Sequence, residues 1–312
     1  MKKHTVLNNF IDKLFYQQIF TIAIRKNMGL CIHSQAFTDE PFTSVLTADL
    51  KNWYADPFII KHEGKSYIFF ENFYRGKGKL QVGTIHEDLT IGDIRDVLDE
   101  KIHLSYPFVF CISQQWYLIP ESHQAKEIRV YKALEFPYVW VLDRVLLSGI
   151  DALDSTLFKY NGSNYLITAI RQKRDEAVHP RVFKLTNDLP ADWILHELSW
   201  KNHDMYNVRP AGKIFEINDR SYRPSQMCAK HEYGKSVIIN EMDVLSLQNG
   251  EYFEKEVIRL GPENVSISNL THKVTGLHTY NRSTDYEVID AKFMQRNLLK
   301  IFRAFRRKVG KH

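Results

Sequence analysis

Cysteine is scarce in this chain of 312 residues: three in all, Cys31, Cys111 and Cys228, with no Cys-x-x-Cys pair. An odd, scattered set argues against a disulfide framework or a zinc site, and for free thiols in a reducing compartment. Long apolar runs are missing too. The stretch Phe15 to Ile24 carries two glutamines and is too short to cross a bilayer. Its Ile19, Phe20, Ile22 and Ile24 read instead as a strand entering the fold. Ahead of it, Asn8, Asn9, Asp12 and Lys13 interrupt any secretory signal, so the sequence predicts a cytoplasmic protein. The histidines carry no ligand spacing, so no metal is expected. No Walker motif, Rossmann fingerprint, Gly-x-Ser-x-Gly elbow or Asp-x-Asp motif points to a cofactor, and Gly76-Lys77-Gly78 reads as a hairpin turn. Acids are absent from Lys292 onward, where eight Lys and Arg residues lie; without those eight the net charge of +5 becomes −3. A mildly acidic body with a basic tail is a poor nucleic-acid binder, and the charge is a local device.

What the chain does have is aromatic residues, 13% of the total, and a repeat. Asp56-Pro57-Phe58 is followed by Gly64, Tyr67 and Glu71. Tyr106-Pro107-Phe108 is followed by Tyr117 and Glu121, and Asp154-Ser155-Thr156 by Gly162 and Tyr165. Tyr67, Tyr117 and Tyr165 each lie eleven residues after their opening residue. A fourth copy, Arg209-Pro210-Ala211-Gly212 through Tyr222 and Gln226, is two residues longer between its anchors. Units that begin roughly fifty residues apart in an all-β pattern predict propeller blades around a central channel. The expected fold is an all-β, five-bladed β-propeller over 1–291. Its blades fall at about 53–100, 101–150, 151–200 and 201–260, with a closing blade from 261–291 plus strands from the N-terminus. Strand-like Val45-Leu46 precedes the first blade.

The tail changes period. Met294, Leu298, Ile301, Phe302, Phe305 and Val309 recur at three- and four-residue steps, which predicts a basic amphipathic helix over 292–312. Two readings stand side by side: a helix packed on the propeller rim, or one lying on an anionic membrane surface.

Equivalent places in radially repeated units converge on one axis, so the repeat also nominates a site. Chemistry at an anomeric carbon needs a carboxylate as base, nucleophile or charge stabiliser, and often a second acid for the leaving oxygen. Asp56, Glu121 and Asp154 are the candidate catalytic residues. Glu121 follows Leu118-Ile119-Pro120, an apolar setting that would raise its pKa and suit it to general-acid work. Each acid could instead cap a turn or pair with an arginine of another blade. Glu71, Tyr106, Arg209, Arg223, Gln226 and His278 are the candidate substrate-binding residues. The arginines could clamp a phosphate or carboxylate, and Arg209 could equally neutralise Asp56 or Asp154. His278 could orient a carboxylate, reach an ion through water, or be a satisfied core histidine.

Several segments carry a resemblance: Trp53-Tyr54-Ala55-Asp56-Pro57-Phe58, Phe69-Phe70-Glu71, Ile119-Pro120-Glu121-Ser122, Tyr222-Arg223-Pro224-Ser225-Gln226 and Leu277-His278-Thr279. Together they resemble the propeller domain at the N-terminus of plant glucosamine inositolphosphorylceramide transferases and its stand-alone bacterial relatives. More distantly the chain is similar to the five-bladed furanosidase propellers, the arabinanases, β-xylosidases, invertases and levansucrases. Those enzymes use an early Asp-Pro aspartate, a second aspartate and a glutamic acid. Asp56 matches the first, while here the glutamate precedes the second aspartate. The resemblance implies carbohydrate chemistry; the lack of a secretory signal and the basic tail favour a glycosyltransferase that moves a furanosyl unit onto a cell-surface polysaccharide, and a phosphoribosyl donor would explain Arg209 and Arg223. Its partners would be an activated sugar donor, a glycan acceptor and, through 292–312, an anionic membrane at the cytoplasmic face. A furanosidase-type glycoside hydrolase and a non-catalytic glycan-binding propeller are the alternatives.

Overall fold

The computed structural model describes residues 15–27, 29, 40–171, 178–186, 193–202, 208–229 and 232–297, with backbone alone at 228, 229 and 232. Strands β1 (Tyr16–Lys26) and β2 (Phe42–Ser44) come first. Blade one follows as β3 (Asn52–His62), β4 (Lys65–Tyr74), β5 (Lys77–Ile85) and β6 (Ile91–Leu98). Blade two is β7 (Ser105–Ile112), β8 (Gln115–Glu121), β9 (Glu127–Glu135) and β10 (Val139–Ser148). Blade three is β11 (Asp151–Tyr160), β12 (Ser163–Arg171), β13 (Val178–Thr186) and β14 (Ile194–Glu197). Blade four combines β15 (Ser199–Trp200), β16 (Phe215–Ile217), β17 (Arg220–Ala229), β18 (Glu232–Asp243) and β19 (Glu251–Leu260). Blade five joins β1 and β2 to β20 (Ile267–Ser268), β21 (Val274–Arg282) and β22 (Tyr286–Arg296). The protein is a five-bladed β-propeller.

Middle strands are covered on both sides by neighbouring blades, so they read as unbroken apolar runs rather than as alternating ones. Period-two alternation then sends each face to a different neighbour. On β4, Tyr67 and Phe69 pack with Phe108, Val109 and Leu118 of blade two, while Ile68 and Phe70 pack with Ile22, Ile24 and Val288 of blade five. Each such side chain stabilises by about 1.5–3 kcal/mol on burial. The ring closes where β1 pairs antiparallel with β22, from Tyr16 opposite Arg296 to Lys26 opposite Tyr286.

Two local expectations give way. Val45-Leu46 is not a strand; the early edge strand is Phe42–Ser44, which seats Phe42 in the core. The first residues expected to be helical continue β22 instead. Phe293 pairs with Ile19 and Val274 and is buried between them, because alternation places it on the covered face of the strand. The remainder of the expected helix lies outside the described residues. No helix among the described residues is long and apolar enough to cross a membrane.

Candidate functional site

The site begins as a repeated irregularity of the inner strands. On β3, Ala55 faces Glu71 and Phe58 faces Phe69, so Asp56 and Pro57 together oppose Phe70 alone. The same two-against-one bulge sets Tyr106-Pro107 against Pro120, Asp154-Ser155 against Thr168, and His278-Thr279 against Asp290. Proline at 120 fits there because the bulge asks no ladder hydrogen bond of it. Asp56, Tyr106 and Asp154 take φ of +52°, +48° and +52°, a left-handed conformation that costs a non-glycine residue about 1–2 kcal/mol. Strain repeated at equivalent places of three blades goes with side chains turned to a common purpose.

Those side chains meet. Arg209 donates from Nε to Asp154 and from a terminal nitrogen to Glu121 Oε2 at 3.0 Å. Gln226 Nε2 donates to Asp154 Oδ2 at 3.1 Å. His278 Nδ1 lies 3.1 Å from Asp56 Oδ1 and 3.0 Å from Asp290 Oδ2. The Tyr233 hydroxyl bonds His278 Nε2, and its ring lies 5.2 Å from the Arg209 guanidinium carbon. The Tyr106 N–H donates to Asp56 Oδ2 at 3.0 Å, and the Asp56 N–H donates to Asp290 Oδ2 at 2.9 Å. One polar side chain from each of five blades (Asp56, Glu121, Asp154, Arg209, His278) therefore enters one connected cluster. Asp56, Glu121 and Asp154 are 2%, 5% and 1% exposed.

Electrostatics sorts the acids. Burial favours the neutral form of Glu121, but Arg209 and His123, the latter 2.9 Å away through Nδ1, hold it well below the usual carboxylate range. The general-acid role expected for Glu121 is thereby corrected: its carboxylate is ionised, because Leu118-Ile119-Pro120 sets its burial while an arginine from blade four sets its charge. Burial pushes Asp154 up; Arg209 opposes this, and Glu121 and Asp56 reinforce it. Glu71 rises as well, through burial first and then the negative charge of Asp56. Burial alone would lower His278, yet Tyr233, Asp290 and Asp56 carry it well above its ordinary value. Asp56, His278 and Asp290 bring potential ligand atoms within 4.8 Å of one another, an arrangement that could hold a cation.

Three further expectations resolve differently. Tyr106 is fully enclosed, its hydroxyl bonded to Thr156 Oγ1 at 2.8 Å and accepting the Gly212 N–H at 2.9 Å, so it ties blades together and does not face a ligand. Arg223 does not join the cluster. Three positions before Gln226 on β17, it lies on the opposite face of the sheet, where Nε donates to Glu254 Oε2 at 2.7 Å beside Trp200. Gln226 is enclosed too and fastens Asp154 from behind. Sequence reasoning missed Asp290, Tyr233, His103 and His123. Asp290 occupies the bulge position held by Phe70, Pro120 and Thr168 in other blades, so matching opposed positions across the repeat would have found it.

Residues 42–273 match the family described as glucosamine inositolphosphorylceramide transferase 1, N-terminal. The chain is 30% identical over 219 residues to glucosamine inositolphosphorylceramide transferase 1 of Arabidopsis thaliana, covering 66% of this chain and 27% of that protein. With the Oryza sativa subsp. indica protein of the same name it shares 29% over 219 residues, covering 68% and 29%. The chain thus spans less than a third of the length of these curated relatives. Among solved structures, a GH43_1 enzyme from Xanthomonas citri complexed with xylotriose superposes with a TM-score of 0.56 at 13% identity, covering 84% of this chain and 91% of that one. An alpha-L-arabinofuranosidase from Lactobacillus brevis gives 0.52 at 14% identity, covering 80% and 91%. At such identities these two share the fold.

Proposed function

Because the chain belongs to the family of the glucosamine inositolphosphorylceramide transferase 1 N-terminal domain, we propose that it catalyses glycosyl transfer from an activated sugar donor to a glycan acceptor. The observation that carries this reading is the convergence of one polar side chain from each blade on a single cluster. Asp56 is the base that takes the acceptor hydroxyl proton: the Tyr106 N–H holds its Oδ2, while its Oδ1 lies 3.1 Å from His278 Nδ1 with no hydrogen bond of its own. Glu121, kept ionised by Arg209, stabilises positive charge at the anomeric carbon. Asp154 holds Arg209 in place. A furanose is the sugar we favour, in keeping with the arabinofuranosidase among the structural neighbours. Arg209 and Arg223 are both engaged by carboxylates, so the reading does not depend on a phosphoribosyl donor.

We place the reaction at the cytoplasmic face of a membrane, with a cell-surface polysaccharide as product. In support, eight Lys and Arg residues and no acid lie from Lys292 onward, a local positive charge suited to an anionic surface. Hydrolysis is the second reading, since an ionised carboxylate beside proton-holding ones can activate water as readily as an acceptor hydroxyl. Candidate furanosyl donors incubated with and without glycan acceptors decide between them. Product formed only with acceptor supports transfer, and release to water supports hydrolysis. Saturable binding with the donor unchanged supports a glycan-binding module and overturns both.

A further inference from the structure

Among the described carboxylates of the cluster, Glu71 is the one held by neither Arg209 nor His278. It sits on β4 opposite Ala55, is 4% exposed, and its Oε1 is enclosed with no hydrogen-bond partner. The enclosure is built. A Cβ at Gly78 would press directly on Glu71 Oε1 and come within 2.5 Å of Leu104 O and 2.7 Å of His103 Cε1, so the missing side chain at 78 makes the seat for this carboxyl. Beside it, His103 Nδ1 accepts the Gly78 N–H at 2.8 Å, which leaves the ring proton on Nε2. That nitrogen lies 3.4 Å from Glu71 Oε1, and the ring is 20% exposed.

An ionised carboxylate with an unbonded buried oxygen is costly, and holding a proton is the cheaper state. We propose that Glu71 stores the proton delivered to the departing oxygen, and that His103 positions it by offering Nε2–H to the carboxylate left behind. Both roles rest on the glycosyl-transfer reading. In the step, the bond from the anomeric carbon to the leaving oxygen breaks and its electron pair stays on that oxygen, which takes the Glu71 proton. The anomeric carbon bonds to the acceptor oxygen, whose proton passes to Asp56. One proton leaves Glu71 and one arrives at Asp56, so charge balances. The charges facing Glu71 agree with storage: burial, Asp56, Glu121 and Asp290 raise it, and His278 opposes them. His103 is lowered by burial and by His123 and Arg209, against Glu121 and Asp56, and so stays neutral.

Titration of the intact protein labelled with 13C at the glutamate carboxyls, with Glu71→Gln to assign the signal, needs no substrate. Glu71 is expected to keep its proton through the range near pH 4.3 where exposed glutamates ionise. His103→Asn retains an acceptor for the Gly78 N–H but is too short to place a donor where Nε2 stands, and should raise the Glu71 midpoint by about one to two pH units. His103→Gln, which restores an N–H near the Nε2 position, should return it. A Glu71 signal that titrates with the exposed glutamates, or a midpoint unmoved by His103→Asn, overturns the proposal. A second arm uses aryl furanosides. Glu71→Gln should lose about 10²–10⁴-fold in kcat/KM on a phenyl furanoside and less than about tenfold on the 2,4-dinitrophenyl compound, whose leaving group needs no proton. Equal losses on both overturn the acid role. A wild-type protein inert to both counts against the furanose reading, while the titration still decides Glu71.

Discussion

Replacing Arg209 by Met removes the one guanidinium shared by Glu121 and Asp154 while nearly preserving volume. In the wild type this side chain is 12% exposed and its two carboxylates are almost enclosed. Breaking a buried pair by deleting one partner costs about 3–5 kcal/mol, because the charge left behind is neither solvated nor neutralised. At the low end of about 2–4 °C per kcal/mol, that is a Tm lower by about 6–10 °C at pH 7. The pH dependence is more telling than the size. Glu121 in the folded wild type lies below its unfolded value, so it contributes stability that is present above about pH 4.3 and lost as pH falls through the folded value. Without Arg209, Glu121 joins Asp154 as a carboxyl raised by burial. Such a group destabilises at neutral pH and recovers on acidification. Denaturant unfolding at a series of pH values should show the gap between wild type and Arg209→Met closing from pH 7 to pH 4. Adding Glu121→Gln and Asp154→Asn to the variant should restore more than half of the loss. A gap under about 1 kcal/mol at pH 7, or one that does not change with pH, would refute the ionised Arg209–Glu121 pair.

Asp56→Asn should fold normally, since asparagine tolerates a φ of +52° and can still accept the Tyr106 N–H, while glycosyl transfer falls by about 10²–10⁴-fold; near-normal turnover would remove Asp56 from the mechanism. Gly276→Ala should cost about 1–3 kcal/mol in denaturant unfolding, because its Cβ would run into the backbone oxygen of Gly234 and within 2.7 Å of Lys292 Cε, tightening the seam between blades four and five; an unchanged midpoint would mean the seam can yield. Truncation after Asn297 removes six of the eight tail cations and leaves β22 whole. It should abolish binding to anionic liposomes, binding that in the full chain weakens as salt rises. A truncated protein that melts early would show instead that the tail packs on the blades.

Much of the architecture was legible because its causes are local. The fifty-residue spacing, the apolar middle strands such as Tyr67-Ile68-Phe69-Phe70, and the openings at Asp56, Tyr106 and Asp154 all arise from neighbours in sequence: alternation, turn residues, and side chains that must leave a ladder at a bulge. The same repeat placed Glu121, Arg209 and His278 at one axis. Pairing is another matter. Arg209 meets Asp154 across 55 positions and Glu121 across 88, and the Asp56 N–H meets Asp290 across 234. Ring closure alone brings such residues together, and no window of sequence contains them. Charge state follows pairing, because an interaction that falls with distance and strengthens with burial can be assigned only once both are known. Thus Glu121 looked like an acid from its apolar flank and is an ionised carboxylate beside an arginine, while Glu71 became the proton holder because Gly78 and His103 happen to enclose it. Arg223 shared a motif with Gln226, yet period two put it on the other face with Glu254. The amino-acid order determined which residues could reach the channel; the closed ring decided what each one meets there, and so what charge it carries.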